Sequence, residues 1–113
     1  MSQVFKVITY PVRDLSAAKA FYTTLLGTEP YADSEYYVGY RLGDQEIGLD
    51  PNGHATGLTG PIGYHPVDDL EAAVEAATAA GATLVKPIAE VGPGRRIAAV
   101  ADADGNVTGL MHG

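Results

Sequence analysis

An octapeptide that occurs twice constrains this chain more than any other feature. Pro11-Val12-Arg13-Asp14-Leu15-Ser16-Ala17-Ala18 returns 55 residues later as Pro66-Val67-Asp68-Asp69-Leu70-Glu71-Ala72-Ala73, identical at six of eight positions. Self-similarity at a fixed spacing marks two copies of one supersecondary unit. A strand-favouring segment leads into each copy, Val4-Phe5-Lys6-Val7-Ile8 and Pro61-Ile62-Gly63-Tyr64, and a helical pattern follows. Each copy therefore reads as strand, cap, helix.

In the first copy Asp14 is placed to cap a helix by accepting a backbone N–H bond. Leu15, Ala18, Phe21, Tyr22, Leu25 and Leu26 recur at helical spacing until Gly27 supplies a stop. Phe21 and Tyr22 read as core residues of that helix. In the second copy Asp68 or Asp69 caps, Glu71 adds favourable charge to the first turn, and an alanine-rich stretch ends at Gly81. After each helix the period shortens toward two. Glu35 to Leu42, a Gly43-Asp44 turn and Gln45 to Asp50 read as a hairpin. Thr83 to Lys86, Arg95 to Ala101, a turn over 102–106 and Val107 to Met111 answer it. Between the copies, residues 53–60 are a Gly-rich stretch read as a flexible linker.

At 113 residues the chain is expected to form one domain, with module one at about 1–52, the linker at about 53–60 and module two at about 61–113. There is no cysteine, so any chemistry must come from oxygen and nitrogen groups. A formal charge of −7 with seven scattered Lys and Arg residues disfavours nucleic acid, although it could attract a cationic ligand. No apolar run approaches the roughly 20 residues of a membrane span, and the start lacks a signal-peptide pattern, so the expected address is the cytoplasm.

The first copy, with Val12-Arg13-Asp14-Leu15, Ala17-Ala18, Phe21-Tyr22 and Leu25-Leu26-Gly27, resembles the opening signature of the vicinal-oxygen-chelate superfamily, which holds glyoxalase I, extradiol dioxygenases and bleomycin-resistance proteins. Asp102-Ala103-Asp104-Gly105-Asn106 is similar to that family's closing Asp-Pro-Asp-Gly-Asn turn, with Ala103 in the Pro place. The resemblance spans essentially the whole chain. It implies an α+β fold of two tandem βαβββ modules whose curled mixed sheets enclose a cavity, and a homodimer in which modules can pair.

Metal-using members of the family hold one divalent ion with a His on the first strand and a Glu on the last strand of each module. Carried over by position, those places are Val7, Gly48, Ile62 and Gly109, none of which can bind a metal. A one-residue register slip does not help, because it turns the side chain to the other face. Cofactors and metal are accordingly expected to be none. With apolar residues and two glycines at its centre, the cavity floor is expected to be apolar and widened by two missing side chains, which suits a bulky organic molecule.

The expected lining is Val7, Thr9, Tyr36, Tyr37, Glu46, Gly48, Asp50, Ile62, Tyr64, Gly109 and Met111. Tyr36, Tyr37 and Tyr40 are read on one strand, with a flat apolar face and a polar tip on each ring. Glu46 and Asp50 alternate with Gly48 and so share its side; with Arg95 or Arg96 they are the acid–base candidates. The histidines share no local spacing: His54 is in the linker, His65 on a strand and His112 near the end.

The first functional expectation is a metal-independent small-molecule binding protein, similar to the bleomycin-resistance branch, that sequesters an aromatic or peptide-like compound without changing it. The alternative is a metal-free enzyme of the same fold using Glu46, Asp50 or a tyrosine hydroxyl on a natural-product-like substrate. A metal-dependent glyoxalase or dioxygenase is opposed by the four lost ligands.

Overall fold

The structure is a computed structural model describing residues 5–113. Val4, placed in the first strand by the sequence reading, lies outside the described residues. The elements are β1 (Val7–Pro11), α1 (Leu15–Leu26), β2 (Ala32–Asp33), β3 (Val38–Leu42), β4 (Gln45–Asp50), β5 (Ile62–Pro66), α2 (Leu70–Ala79), β6 (Thr83–Glu90), β7 (Arg96–Ala101) and β8 (Val107–His112). The chain clusters into two compact units, residues 6–62 and Phe5 with residues 63–113.

Local chemistry sets the helix ends. Asp14 is extended and its carboxylate accepts the Ala17 N–H at 3.0 Å, filling one orphan donor of α1, and Gly27 closes that helix at φ 69°. Asp69, not Asp68, does the same for α2 through the Ala72 N–H at 3.0 Å. Gly81, at φ 108°, turns the chain toward β6.

In the unit of residues 6–62, β1 runs parallel to β4, β3 runs antiparallel to β4, and β2 lies outside β3. The second unit repeats this order, with β5 parallel to β8, then β7, then β6. The registers also correspond: Thr9 is opposite Gly48, and Tyr64, 55 residues after Thr9, is opposite Gly109.

The expectation of curled sheets enclosing a cavity is corrected. Among the described residues the strands make a mixed sheet whose outermost strands, β2 and β6, do not pair with each other, so the sheet is not closed. Closure requires the terminal strands to share a ladder. The two-residue β2 pairs with β3, Ala32 with Gly39 and Asp33 with Val38.

Alternation along the strands of the first unit sorts residues onto two faces. Val38, Tyr40, Ile47 and Leu49 are buried against Ile8, Tyr10, Val12 and one stripe of α1, namely Leu15, Ala18, Tyr22 and Leu26. Full burial of such a side chain contributes roughly 1.5–3 kcal/mol. Tyr40 is fully buried because its hydroxyl is satisfied, donating to the Lys19 carbonyl at 3.1 Å and sharing a 2.8 Å hydrogen bond with the Thr23 hydroxyl. Phe21 is not core: it and Leu25 are 58% and 63% exposed, because their positions fall beside the stripe that meets the sheet.

Two further expectations change. Tyr36 and Tyr37 are not on a strand with Tyr40. The Ser34 hydroxyl accepts the backbone N–H groups of both, each at 3.2 Å, which withholds them from a ladder, so β3 begins at Val38. The stretch 53–60 is not merely a flexible linker either. It contains a single 3-10 turn at His54–Thr56 and the buried Leu58.

Candidate functional site

The face of the first unit opposite α1 carries Val7 and Thr9 of β1, Glu46 and Gly48 of β4, and Gly39 and Arg41 of β3, paired across the ladder as Val7 with Glu46, Thr9 with Gly48, Gly39 with Gly48 and Arg41 with Glu46. Two side chains from outside these strands complete it. Tyr37 lies over the glycine pair: a Cβ built on Gly48 would come within 2.7 Å of its Cε1 and Cζ, and one on Gly39 within 2.9 Å of its Cε2. Tyr31 covers Gly39 from the other side, at 3.0 Å by the same measure. The glycines are there because the rings need their space.

The floor is therefore not widened by its missing side chains, as the sequence had suggested. Tyr37 fills the space at Gly48, and in the second unit Tyr64 fills the space at Gly109, where a Cβ would meet its Cε1 at 2.6 Å. Gly63 is covered in the same way by Phe5, whose ring also packs against His65 with centroids 4.4 Å apart.

Beside Tyr37 the face turns polar. Glu46 is 6% exposed, and its Oε1 accepts a hydrogen bond from the Tyr31 hydroxyl at 3.2 Å and one from Arg41 Nε at 3.3 Å. The Arg41 guanidinium lies over the Tyr31 ring, its Cζ 4.0 Å from the centroid, in a cation–π contact. Neither Tyr31 nor Arg41 was singled out from the sequence. The pairing of Arg41 with Glu46 had a signal, since a two-residue turn at Gly43-Asp44 sets Leu42 opposite Gln45 and Arg41 opposite Glu46. Tyr31 had none, because it reaches Glu46 from a loop fifteen residues away.

The remaining candidates divide. Val7 and Thr9 are buried beside Glu46 and Gly48. Asp50 is occupied with a turn, its carboxylate accepting the Asn52 N–H at 2.8 Å. Tyr36 is 76% exposed. In the second unit Tyr64, Gly109 and Met111 are buried on β5 and β8; Ile62, the first residue of β5 and the last of the unit of residues 6–62, is 1% exposed. Arg96 is held by Glu71 of α2 through two bonds of 2.6 and 3.1 Å, and that guanidinium lowers the Glu71 carboxyl to about 2. Arg95 Nε donates to the Gly113 carbonyl at 3.4 Å. The closing turn is organised by Asp102, which accepts from the Asn106 side-chain amide at 3.0 Å and from the backbone of Asn106 and Asp104 at 2.8 and 2.9 Å, bonds that depress its carboxyl.

For a divalent ion the donor set does not fit. The side chains at Val7, Gly48, Ile62 and Gly109 offer no lone pair, rings fill the space of both glycines, and among the described residues no group of three or more His, Asp or Glu could hold a metal ion. Nor is any helix among the described residues long and apolar enough to cross a membrane.

No curated protein matches the sequence. Among solved structures the chain is similar to a glyoxalase/bleomycin resistance protein/dioxygenase superfamily member from Vibrio splendidus 12B01, at 17% identity, TM-score 0.72 and full coverage of both chains (100% each). It is also similar to methylmalonyl-CoA epimerase from Mycobacterium tuberculosis, at 20% identity and TM-score 0.72 over 98% of this chain and 88% of that one. A third likeness is to the Mn(II)-bound glyoxalase from Novosphingobium aromaticivorans, at 19% identity and TM-score 0.70 over 99% of this chain and 40% of the other. At such identities the likeness is one of fold. The family model described as Glyoxalase/Bleomycin resistance protein/Dioxygenase superfamily matches residues 4–110, and the chain belongs to that superfamily.

Proposed function

We propose that this protein is a metal-independent binder of a small organic molecule, which it holds without chemical change on the tyrosine-bearing face of residues 6–62. The observation that carries the reading is that Tyr37 and Tyr64 take the side-chain space of Gly48 and Gly109, the places to which the family resemblance assigns carboxylates. An aromatic floor beside a buried polar group suits a ligand with a flat apolar body and a polar point of attachment. Val7, Thr9, Tyr37, Glu46 and Gly48 are the residues proposed to meet it, with Tyr31 and Arg41 at the rim.

The test is the metal content of the purified protein by mass spectrometry, with thermal melts in excess Zn²⁺, Ni²⁺, Mn²⁺ and Fe²⁺ and after chelation, followed by a screen of aromatic compounds. A ligand that binds only the native state raises the melting temperature by mass action. The reading expects melts indifferent to metals and chelator but raised by an aromatic compound. One equivalent of tightly held metal whose removal lowers the melt would overturn it.

A second reading, a metal-free enzyme, is favoured by one observation: Glu46 is a buried carboxylate in hydrogen-bond contact with a phenol and a guanidinium. It is tested by asking whether any compound found in the screen is consumed, and whether Glu46→Gln stops consumption even when enough compound is supplied to saturate the variant.

A further inference from the structure

The Tyr31, Arg41 and Glu46 cluster carries an asymmetry. The Glu46 side chain is 8% exposed and the Arg41 side chain 62%, so a carboxylate within the fold is met by a cation standing mostly in water. The 3.3 Å separation between Nε and Oε1 is long for a charge-assisted bond, for which roughly 2.7–2.9 Å is usual. An exposed ion pair of this kind contributes little to stability, because the guanidinium is well solvated when it leaves. A carboxylate removed from water, by contrast, gains from any cation placed against it. What Arg41 contacts is a ring face and a carboxylate edge, the combination that recognises organic cations.

We infer that Arg41 fills, from within the chain, a site for a ligand's own cationic group, and that the small molecule bound on this face carries an amidinium, guanidinium or ammonium on a flat body. The ligand cation displaces the Arg41 side chain toward solvent, takes its place over Tyr31 and against Glu46, and lays its apolar part along Tyr37. The formal charge of −7 favours approach of such a molecule and disfavours an anion that would seek Arg41 itself. This inference rests on the binding reading above and names the chemical class that the same face takes.

The experiment is a titration of the ¹⁵N-labelled full chain with three probes of one shape, benzamidine, benzamide and benzoate, following the amides of Gly39, Arg41, Glu46 and Gly48. Benzamidine is expected to bind these positions about tenfold more tightly than neutral benzamide, the size of one charge-assisted contact. That preference should shrink with added salt, and benzoate should leave the amides unmoved. Arg41→Ala removes the internal competitor and should tighten benzamidine several-fold, whereas Glu46→Gln should abolish the preference for benzamidine over benzamide. If Glu46→Gln does not give a folded spectrum, Arg41→Ala and the salt series decide alone. Weaker benzamidine binding in Arg41→Ala, or benzoate binding better than benzamide, overturns the inference and makes Arg41 an anion contact. Equal binding of benzamidine and benzamide overturns the charge class while leaving the binding reading intact. If no aromatic probe moves an amide on this face, the binding reading fails and this inference falls with it.

Discussion

The two modules face one packing problem and solve it differently. In each, the last strand presents a glycine to the first, Gly48 opposite Thr9 and Gly109 opposite Tyr64, and in each an aromatic ring takes the vacant volume. The second module fills it from within the ladder, because Tyr64 is itself the registered neighbour of Gly109. The first has the smaller Thr9 there and brings Tyr37 in from the segment before β3, laying the ring across Gly39 as well. The contacts differ accordingly: Gly48 is approached by the hydroxyl end of Tyr37, the far end of its side chain, and Gly109 by Cδ1, Cε1 and Cγ of Tyr64, near the ring's root, so the ring over Gly48 is expected to give way more easily to an added Cβ. Duplicated backbones thus leave the two modules filling the same space from different places, and the module whose ring comes from outside the ladder carries the Tyr31, Arg41 and Glu46 cluster.

The largest effect should come from giving the second module the first module's residue. Tyr64 is 7% exposed, and Tyr64→Thr leaves a hole beside Gly109, so a loss of roughly 3 kcal/mol is expected by chemical denaturation. Combining it with Gly109→Ala should recover part of that loss, since the added methyl enters the space the ring left; strict additivity would mean that the ring does not fill that space.

Next in size, Gly109→Ala alone should cost about 2–3 kcal/mol through overpacking, and Gly48→Ala about 1 kcal/mol because Tyr37 can move aside. Equal losses would remove the distinction between the two rings. The Gly48→Ala variant should also show altered tyrosine contacts in its NMR spectrum.

The smallest effect concerns charge. Glu71 braces the second module through Arg96, and its counterpart in the first octapeptide is Ser16. Its folded carboxyl is lowered to about 2 from a model-peptide value of 4.5, chiefly by its bond to Arg96. A depressed carboxylate supports the fold above its unfolded value, and the support fades as pH falls from about 4.5 toward 2. Melting curves of the parent and Glu71→Gln should therefore differ slightly at pH 6 and converge near pH 2; a gap that persists in acid would mean that the pair is not the source.

Much of this could be read in advance and much could not. The octapeptide repeat, the Asp14 cap, the Gly27 stop and the hairpin turn at Gly43-Asp44 are local, each decided by residues within a few positions, and all are present in the structure. The absence of metal donors at Val7, Gly48, Ile62 and Gly109 was equally legible, because it needs only residue identity and position. Which aromatic goes where was not. Tyr36, Tyr37 and Tyr40 look equivalent in a row, yet Ser34 delays the start of β3, leaving Tyr36 in solvent, Tyr37 over the glycines and Tyr40 on the helix side. The helix pattern likewise could not say that Phe21 and Leu25 stay exposed, since an apolar stripe broader than its sheet contact reads the same as one that fits.

The sequence by itself determined the duplication, the cap and stop of the first helix and the lack of donor side chains at Val7, Gly48, Ile62 and Gly109, because these follow from short-range hydrogen bonding and from what a side chain can donate. Only the tertiary structure decided that the outermost strands stay unpaired, that rings occupy the side-chain space of Gly48 and Gly109, and that Tyr31, Arg41 and Glu46 meet. Those outcomes depend on register and on side chains far apart in the chain competing for the same volume, and no local pattern encodes that competition.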